Sequence, residues 1–114
     1  MTLTMNKITI DLEKFRTPKA KIFTGRDRGQ QVRIDSNIDS LAEEYSNVEI
    51  VIPRNLYSIN PSFFEELFVN VVMKYKKDGF FRKFLFVNSG DYNFTKPLNE
   101  AIDRILRENT ALDK

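Results

Sequence analysis

The sequence predicts an α/β fold, with strands alternating with helices around a mixed, largely parallel sheet. Three observations predict it. Val48, Ile50 and Ile52 alternate with Glu49 and Val51 up to Pro53, which reads as a strand. Phe63, Phe64, Leu67, Phe68, Val71, Val72 and Tyr75 share one half of a helical wheel, opposite Glu66, Asn70, Lys74 and Lys77. Phe84 to Val87 is a short unbroken apolar run, the mark of another buried strand. Val51 makes the second face of the central strand partly apolar, so helices are expected on both faces of the sheet.

The remaining elements follow in chain order. Residues 1–6 read as a loose leader. Lys7 to Leu12 alternates, with Ile8, Ile10 and Leu12 on one face, and reads as a strand. The chain turns over Phe15 to Pro18. Ala20, Ile22 and Thr24 alternate with Lys19, Lys21 and Phe23, which predicts a short edge strand forming a hairpin with the first. Gly25-Arg26-Asp27-Arg28-Gly29 reads as a polar, glycine-flanked loop. A helix follows, starting near Gln30 or near Ser36, where Ser36 and Asp39 form an acidic variant of a capping box. Its stripe is Ile34, Ile38, Leu41, Ala42 and Tyr45; Asp35, Asp39, Glu43 and Glu44 make a solvated acidic face.

The long helix has two competing starts. In one, Asn60 is the N-cap, Pro61 fills the first helical position and Ile59 staples against Phe64. In the other, Ser62 is the N-cap and Glu65 closes a capping box. Asp78-Gly79 is expected to end this helix. Asn88 to Asp91 reads as a turn, Tyr92 and Phe94 as packing back onto the core. Lys96-Pro97 opens a last helix with the stripe Leu98, Ala101, Ile102, Ile105 and Leu106, and the tail from 108 to 114 is expected to fray. The predicted order is β-β-α-β-α-β-α: about four strands and three helices in one domain.

Composition narrows the function classes. At 114 residues, 41% of them hydrophobic, the chain is long enough for one well-filled core. It contains no cysteine and no histidine. That removes disulfides, thiolate chemistry, the usual general base and metal ligand, and the Ser-His and Cys-His dyads. Glu65 and Glu66 are adjacent, about 100° apart on a helix, so they do not form a carboxylate pair beside Ser62. No catalytic residue, metal ligand or cofactor is assigned, and the chain is read as a non-enzyme. No apolar run approaches the roughly 20 residues that span a bilayer, and no signal-peptide pattern opens the chain. The expectation is a cytoplasmic protein with no membrane partner. A net charge of +2 is too small to argue for nucleic acid. Lys14, Arg16, Lys19, Lys21, Arg26, Arg28 and Arg33 do cluster; they read as a solvated surface or, functionally, as an anion-attracting face.

Function in parallel α/β sheets sits beyond the C-terminal ends of the strands. Here that edge is expected to collect the Ser58–Ser62 loop, the Asn88–Asp91 turn and the Gly25–Gly29 loop. The start of the long helix sets free amide donors beside the hydroxyls of Ser58 and Ser62, an end that favours an anion or a phosphorylated side chain. Gly25 and Gly29 would allow close approach, although the loop lacks a Walker-type Gly-Lys-Ser/Thr ending.

The order of elements resembles the STAS domain, the fold of bacterial anti-sigma factor antagonists. More specifically, residues 57–72, YSINPSFFEELFVNVV, look like the signature of the STAS-like family classed as a domain of unknown function. Ser62, Phe63, Glu65, Glu66 and Phe68 match its Ser-Phe-x-Glu-Glu-x-Phe pattern. Gly25, Arg26, Gly29, Val32 and Arg33 resemble its upstream Gly-Arg loop, second glycine and hydrophobic-Arg pair. The resemblance implies a STAS-like sandwich and a regulatory protein-interaction module. Antagonists of this fold bind a histidine-kinase-like ATPase that phosphorylates a serine at the corresponding helix start. By topology that serine is Ser62, with Ser58 as alternative; Asn60-Pro61-Ser62-Phe63 stands in place of the antagonists' Asp-Ser-Ser-Gly. The candidate contact residues are Gly25, Arg26, Arg28, Gly29, Arg33, Asn60, Ser62, Glu65 and Glu66. The competing expectation is an anion- or nucleotide-binding domain using the Gly25–Gly29 loop and the same helix end.

Overall fold

The computed structural model describes residues 5–112, with side chains for 6–108. Its elements are β1 (Met5–Asp11), a 3-10 turn (Leu12–Phe15), β2 (Ile22–Phe23), α1 (Arg26–Ser36), α2 (Ile38–Glu44), β3 (Tyr45–Ile52), β4 (Ser58–Ile59), α3 (Pro61–Lys83), β5 (Phe84–Asn88) and α4 (Thr95–Leu112). The chain is mixed α/β, as its alternating patterns predict. The leader expected over 1–6 is strand from Met5 onward, and the tail expected to fray from 108 is helix through Leu112; residues 1–4 and 113–114 lie outside the described residues.

Strand pairing departs from the expected single sheet. β1, β3 and β5 form a three-stranded sheet with β3 in the centre, and β2 and β4 form a separate two-stranded ribbon. All pairs are parallel: Ile10 lies beside Ile50, Ile50 beside Phe86, and Phe23 beside Ile59. No hairpin joins β1 to β2. A parallel ladder needs a connection that carries the chain back along the sheet, and α1–α2 and α3 supply it.

Neighbours in parallel register point the same way, so the faces can be read directly. Ile10, Val48, Ile50, Ile52 and Phe84 are buried on one face, where α3 crosses β3 and β5. Lys7, Thr9, Glu49, Val51, Leu85 and Val87 share the other. Leu85 and Val87 are 40% and 41% exposed, so this face is not covered by helices over β5. The two-faced burial expected from Val51 is therefore corrected: the molecule has two layers here, and β5 is an edge strand buried on one side only.

The core is aromatic. Phe68 packs edge-on to Phe80, Phe84 and Phe86 at centroid distances of 5.1–6.0 Å, and Phe80 stacks on Phe84 at 4.7 Å. Each fully buried Phe contributes about 1.5–3 kcal/mol of transfer free energy. Phe94 stacks on Phe86 at 5.4 Å, and the expected α4 stripe is buried at Leu98, Ala101, Ile102 and Ile105.

Two helices differ from expectation. The single helix expected from Gln30 or Ser36 through Tyr45 is two, α1 and α2, separated by Asn37 in the left-handed region (φ 59°). It starts earlier, at Arg26, and Tyr45, expected in its stripe, opens β3 instead. Asn tolerates that conformation better than most residues. The break rotates the stripe, so Ile38 and Ala42 are buried while Ile34 is 63% exposed. The acidic face of α2 is turned in part towards α3: Asp39 accepts from Asn70 Nδ2 at 2.8 Å and Glu43 pairs with Lys74 at 2.6 Å. The long helix does not end at Asp78-Gly79. It breaks earlier, at Lys76 (φ 60°, ψ 179°), then resumes to Lys83.

Candidate functional site

The start of α3 is built by the small ribbon. Backbone bonds from Tyr57 N to Lys21 O and from Asn60 N to Phe23 O, both 2.8 Å, hold β4 against β2. Tyr92, from the turn after β5, accepts from Ile59 N at 3.1 Å and pins β4 from the other side. Because β2 and β4 are parallel and each runs into a helix, the first turns of α1 and α3 lie side by side.

Asn60 caps α3: its Oδ1 accepts from Ser62 N at 2.9 Å, with Pro61 in the first helical turn. This is the first of the two predicted starts. The alternative is excluded because Glu65 turns inward and is 4% exposed, so it does not reach back to close a capping box. Asn60 is exposed and Ser58 and Ser62 are half-buried. The ribbon adds two exposed apolar side chains to this rim, Ile22 (47%) and Tyr57 (73%), with Lys21 Nζ 5.2 Å from the Tyr57 ring centroid.

The residues predicted as a glycine loop are the first turn of α1. Gly25 (φ 82°) is the N-cap, in a conformation L side chains rarely adopt, and provides no side-chain cap. Gly29 is buried inside the helix. A Cβ there would lie 2.4 Å from Phe63 O and 2.9 Å from Glu66 Cβ, so the glycine permits the close crossing of α1 on α3. The loop reading is corrected accordingly.

The arginines assigned to anion capture are engaged elsewhere. Arg26 reaches Glu66 at 3.4 Å and Glu65 at 3.8 Å; Arg33 reaches Glu66 at 3.6 Å and also donates to its backbone carbonyl. Arg28 donates to Phe15 O, and Arg16 donates to Arg54 O and Ala20 O. From α4, Arg104 donates to Glu65 Oε1 at 3.1 Å and lies 3.8 Å from Glu100. Glu65 thus ties α1 and α4 to the first turn of α3, its buried charge balanced by two guanidinium groups. Arg104 was not singled out in the sequence; its place beside Ala101 and Ile105 on the α4 stripe was the available signal.

The structure therefore brings Arg26, Arg33, Glu65 and Glu66 together as a clamp beneath the rim, with Ser58, Asn60 and Ser62 on it. Arg28 is directed away, towards the 3-10 turn. A wide-mouthed cleft of about 500 Å³ opens where α1 begins, lined by Thr24, Gly25, Arg26, Asp27, Arg28 and Gln31. The Asn88–Asp91 turn closes the end of β5, with Gly90 packed against Arg54, and Ser89 shares a second cleft of about 310 Å³ with Asp11, Glu13, Pro53 and Arg54. Among the described residues no group of three or more acidic side chains is placed to hold a metal ion, and no helix is long and apolar enough to cross a membrane.

A scan against protein-family models, a search of curated proteins and a search of solved structures each return no match for this chain.

Proposed function

We propose that the chain is a non-catalytic regulatory module of STAS-like type that docks a protein partner on the rim around the start of α3. The observation that carries the reading is the makeup of that rim. The hydroxyls of Ser58 and Ser62 stand beside exposed Ile22 and Tyr57, while the nearby guanidinium groups are paired with Glu65 and Glu66. The backbone N–H groups of Ile59, Asn60, Ser62 and Phe63, expected to be free, already have partners within the chain. Apolar and aromatic side chains flanked by polar groups suit a protein surface. Tied arginines are less available to a small anion. The parallel β3–α3–β5 unit, with a serine at the start of its helix, is the feature shared with anti-sigma factor antagonists, and it makes a histidine-kinase-like ATPase the partner class of first choice.

A phosphorylation switch at Ser62 extends the proposal. A phosphate there would meet the positive end of α3. The test is incubation with candidate ATPase-type kinases and ATP, followed by peptide mass mapping. The expected result is a phosphate-sized increase on the peptide bearing Ser62, lost in Ser62→Ala. An unchanged mass with a kinase that binds would remove the switch and leave the docking module standing.

The 500 Å³ cleft beside Arg26 supports a second reading, an anion- or nucleotide-binding site. A thermal-shift panel separates the two. The docking reading expects no stabilisation by nucleotides or phosphates at millimolar concentration. Saturable stabilisation abolished by Arg26→Ala would favour the cleft.

A further inference from the structure

The two edges of the three-stranded sheet differ in chemistry. β1 carries Lys7, an edge lysine of the kind that blocks strand addition, and the α1–α2 junction lies along it: Asp35, Ser36 and Leu41 share a cleft with Ile8 and Ile10. β5 reads Phe-Leu-Phe-Val-Asn, with no charge and no proline. Its sole ladder neighbour among the described strands is β3. Ser89 N donates to Ile52 O, so by the alternation of a parallel ladder the N–H and C=O of Phe86 and Asn88 point away from β3. On the uncovered face of the sheet this edge also presents Leu85 and Val87, each about two-fifths exposed.

We propose that this edge pairs with the β5 edge of a second copy of the chain, antiparallel about a two-fold axis at Phe86. The proposal is independent of the α3 rim. In that register Phe86 faces Phe86 of the other copy, and the two exchange both backbone bonds. Phe84 faces Asn88, and the amide of Asn88 meets the carbonyl of Phe84. The amide of Phe84 is already used, donating to Phe80 O, so the end of α3 sets the length of the joint. Leu85 faces Val87 twice across the axis, joining four exposed apolar side chains into one patch beside Val51. Charge supports a two-fold partner: exposed Arg82 precedes the strand and exposed Asp91 follows it, so antiparallel pairing sets each near the opposite charge of the other copy. A self-complementary patch is what a two-fold interface requires.

The test uses the full chain. Sedimentation velocity from low micromolar to near-millimolar concentration is expected to show a reversible dimer. Leu85→Lys with Val87→Lys opposes like charges across the axis and is expected to give a monomer. Leu85→Lys with Val87→Glu places Lys opposite Glu twice and is expected to restore the dimer, which also shows that charge at these positions does not unfold the chain. Because the native chain has no cysteine, an equimolar mixture of Leu85→Cys and Val87→Cys variants should oxidise to a crosslinked dimer. A wild-type monomer over the whole range, or a dimer that tolerates the Lys/Lys pair as well as the Lys/Glu pair, overturns the proposal. So would a strand from an unrelated protein that occupies the edge while the chain stays monomeric.

Discussion

Gly29 shows how one residue can change its meaning between sequence and structure. Beside Gly25 and two arginines it resembles part of a phosphate loop. In the fold it is the contact point of two helices, with no room for a methyl group against Phe63 O. Replacing it with Ala overpacks a backbone contact that has no flexible side chain to yield, which costs about 1–3 kcal/mol. Denaturant unfolding of Gly29→Ala is expected to show a lower midpoint with an unchanged slope; a neutral result would mean that α1 and α3 can separate freely. Glu65 is similar. The sequence offers it as the closing residue of a capping box and as a contact residue, yet Glu65 sits at 4% exposure under Arg104 and Arg26. What hid it is that its partners are remote in sequence, and pattern reading along one helix does not see them.

At the scale of elements, the strands and helices with strong local patterns were legible: β3, the first turns of α3 and the α4 stripe fell where periodicity put them. Breaks were not. Asn37 and Lys76 both take positive φ without being glycine, so neither carries the residue type that usually marks such a break. Lys76, at φ 60° and ψ 179°, occupies a region that is almost exclusive to glycine and costs of order 1–3 kcal/mol. Lys76→Gly should relieve that strain, less about 0.5–1 kcal/mol for the extra freedom of the unfolded chain. The expected outcome is a small net rise in the unfolding free energy, read by denaturant titration; a clear loss would show that the break is not strained. The same region gives a pH prediction. Burial lowers the pKa of Lys83 below its ordinary value, while its ammonium donates to the carbonyls of Tyr45 (2.6 Å) and Ser46 (3.3 Å). The folded chain then sheds this proton before the unfolded chain does. Between the two values the unfolded state holds more protons, so stability rises with pH there. Comparing the alkaline pH dependence of unfolding for the wild type and Lys83→Met checks the sign: the wild type should gain relative to the variant as pH rises.

For the whole molecule, the lesson is that alternation of strands and helices foretold a parallel α/β fold but not how many sheets it contains. β2 is only two residues long, Ile22 and Phe23, and it pairs with the two residues of β4 rather than with a strand of the main sheet. That small ribbon makes the candidate site, because it lines up the starts of α1 and α3 and exposes Ile22 and Tyr57 beside them. The uncovered face of the main sheet was equally invisible in advance: Leu85 and Val87 lie in an apolar run that reads as buried on both sides. The measurement that tests the account most directly is an amide chemical-shift map of the full chain titrated with a histidine-kinase-like ATPase that binds it. The account predicts that the largest changes fall on residues 21–26 and 57–63, and that Tyr57→Ala weakens binding while the protein stays folded. Changes confined to other surfaces, with the rim around the start of α3 unmoved, would contradict it.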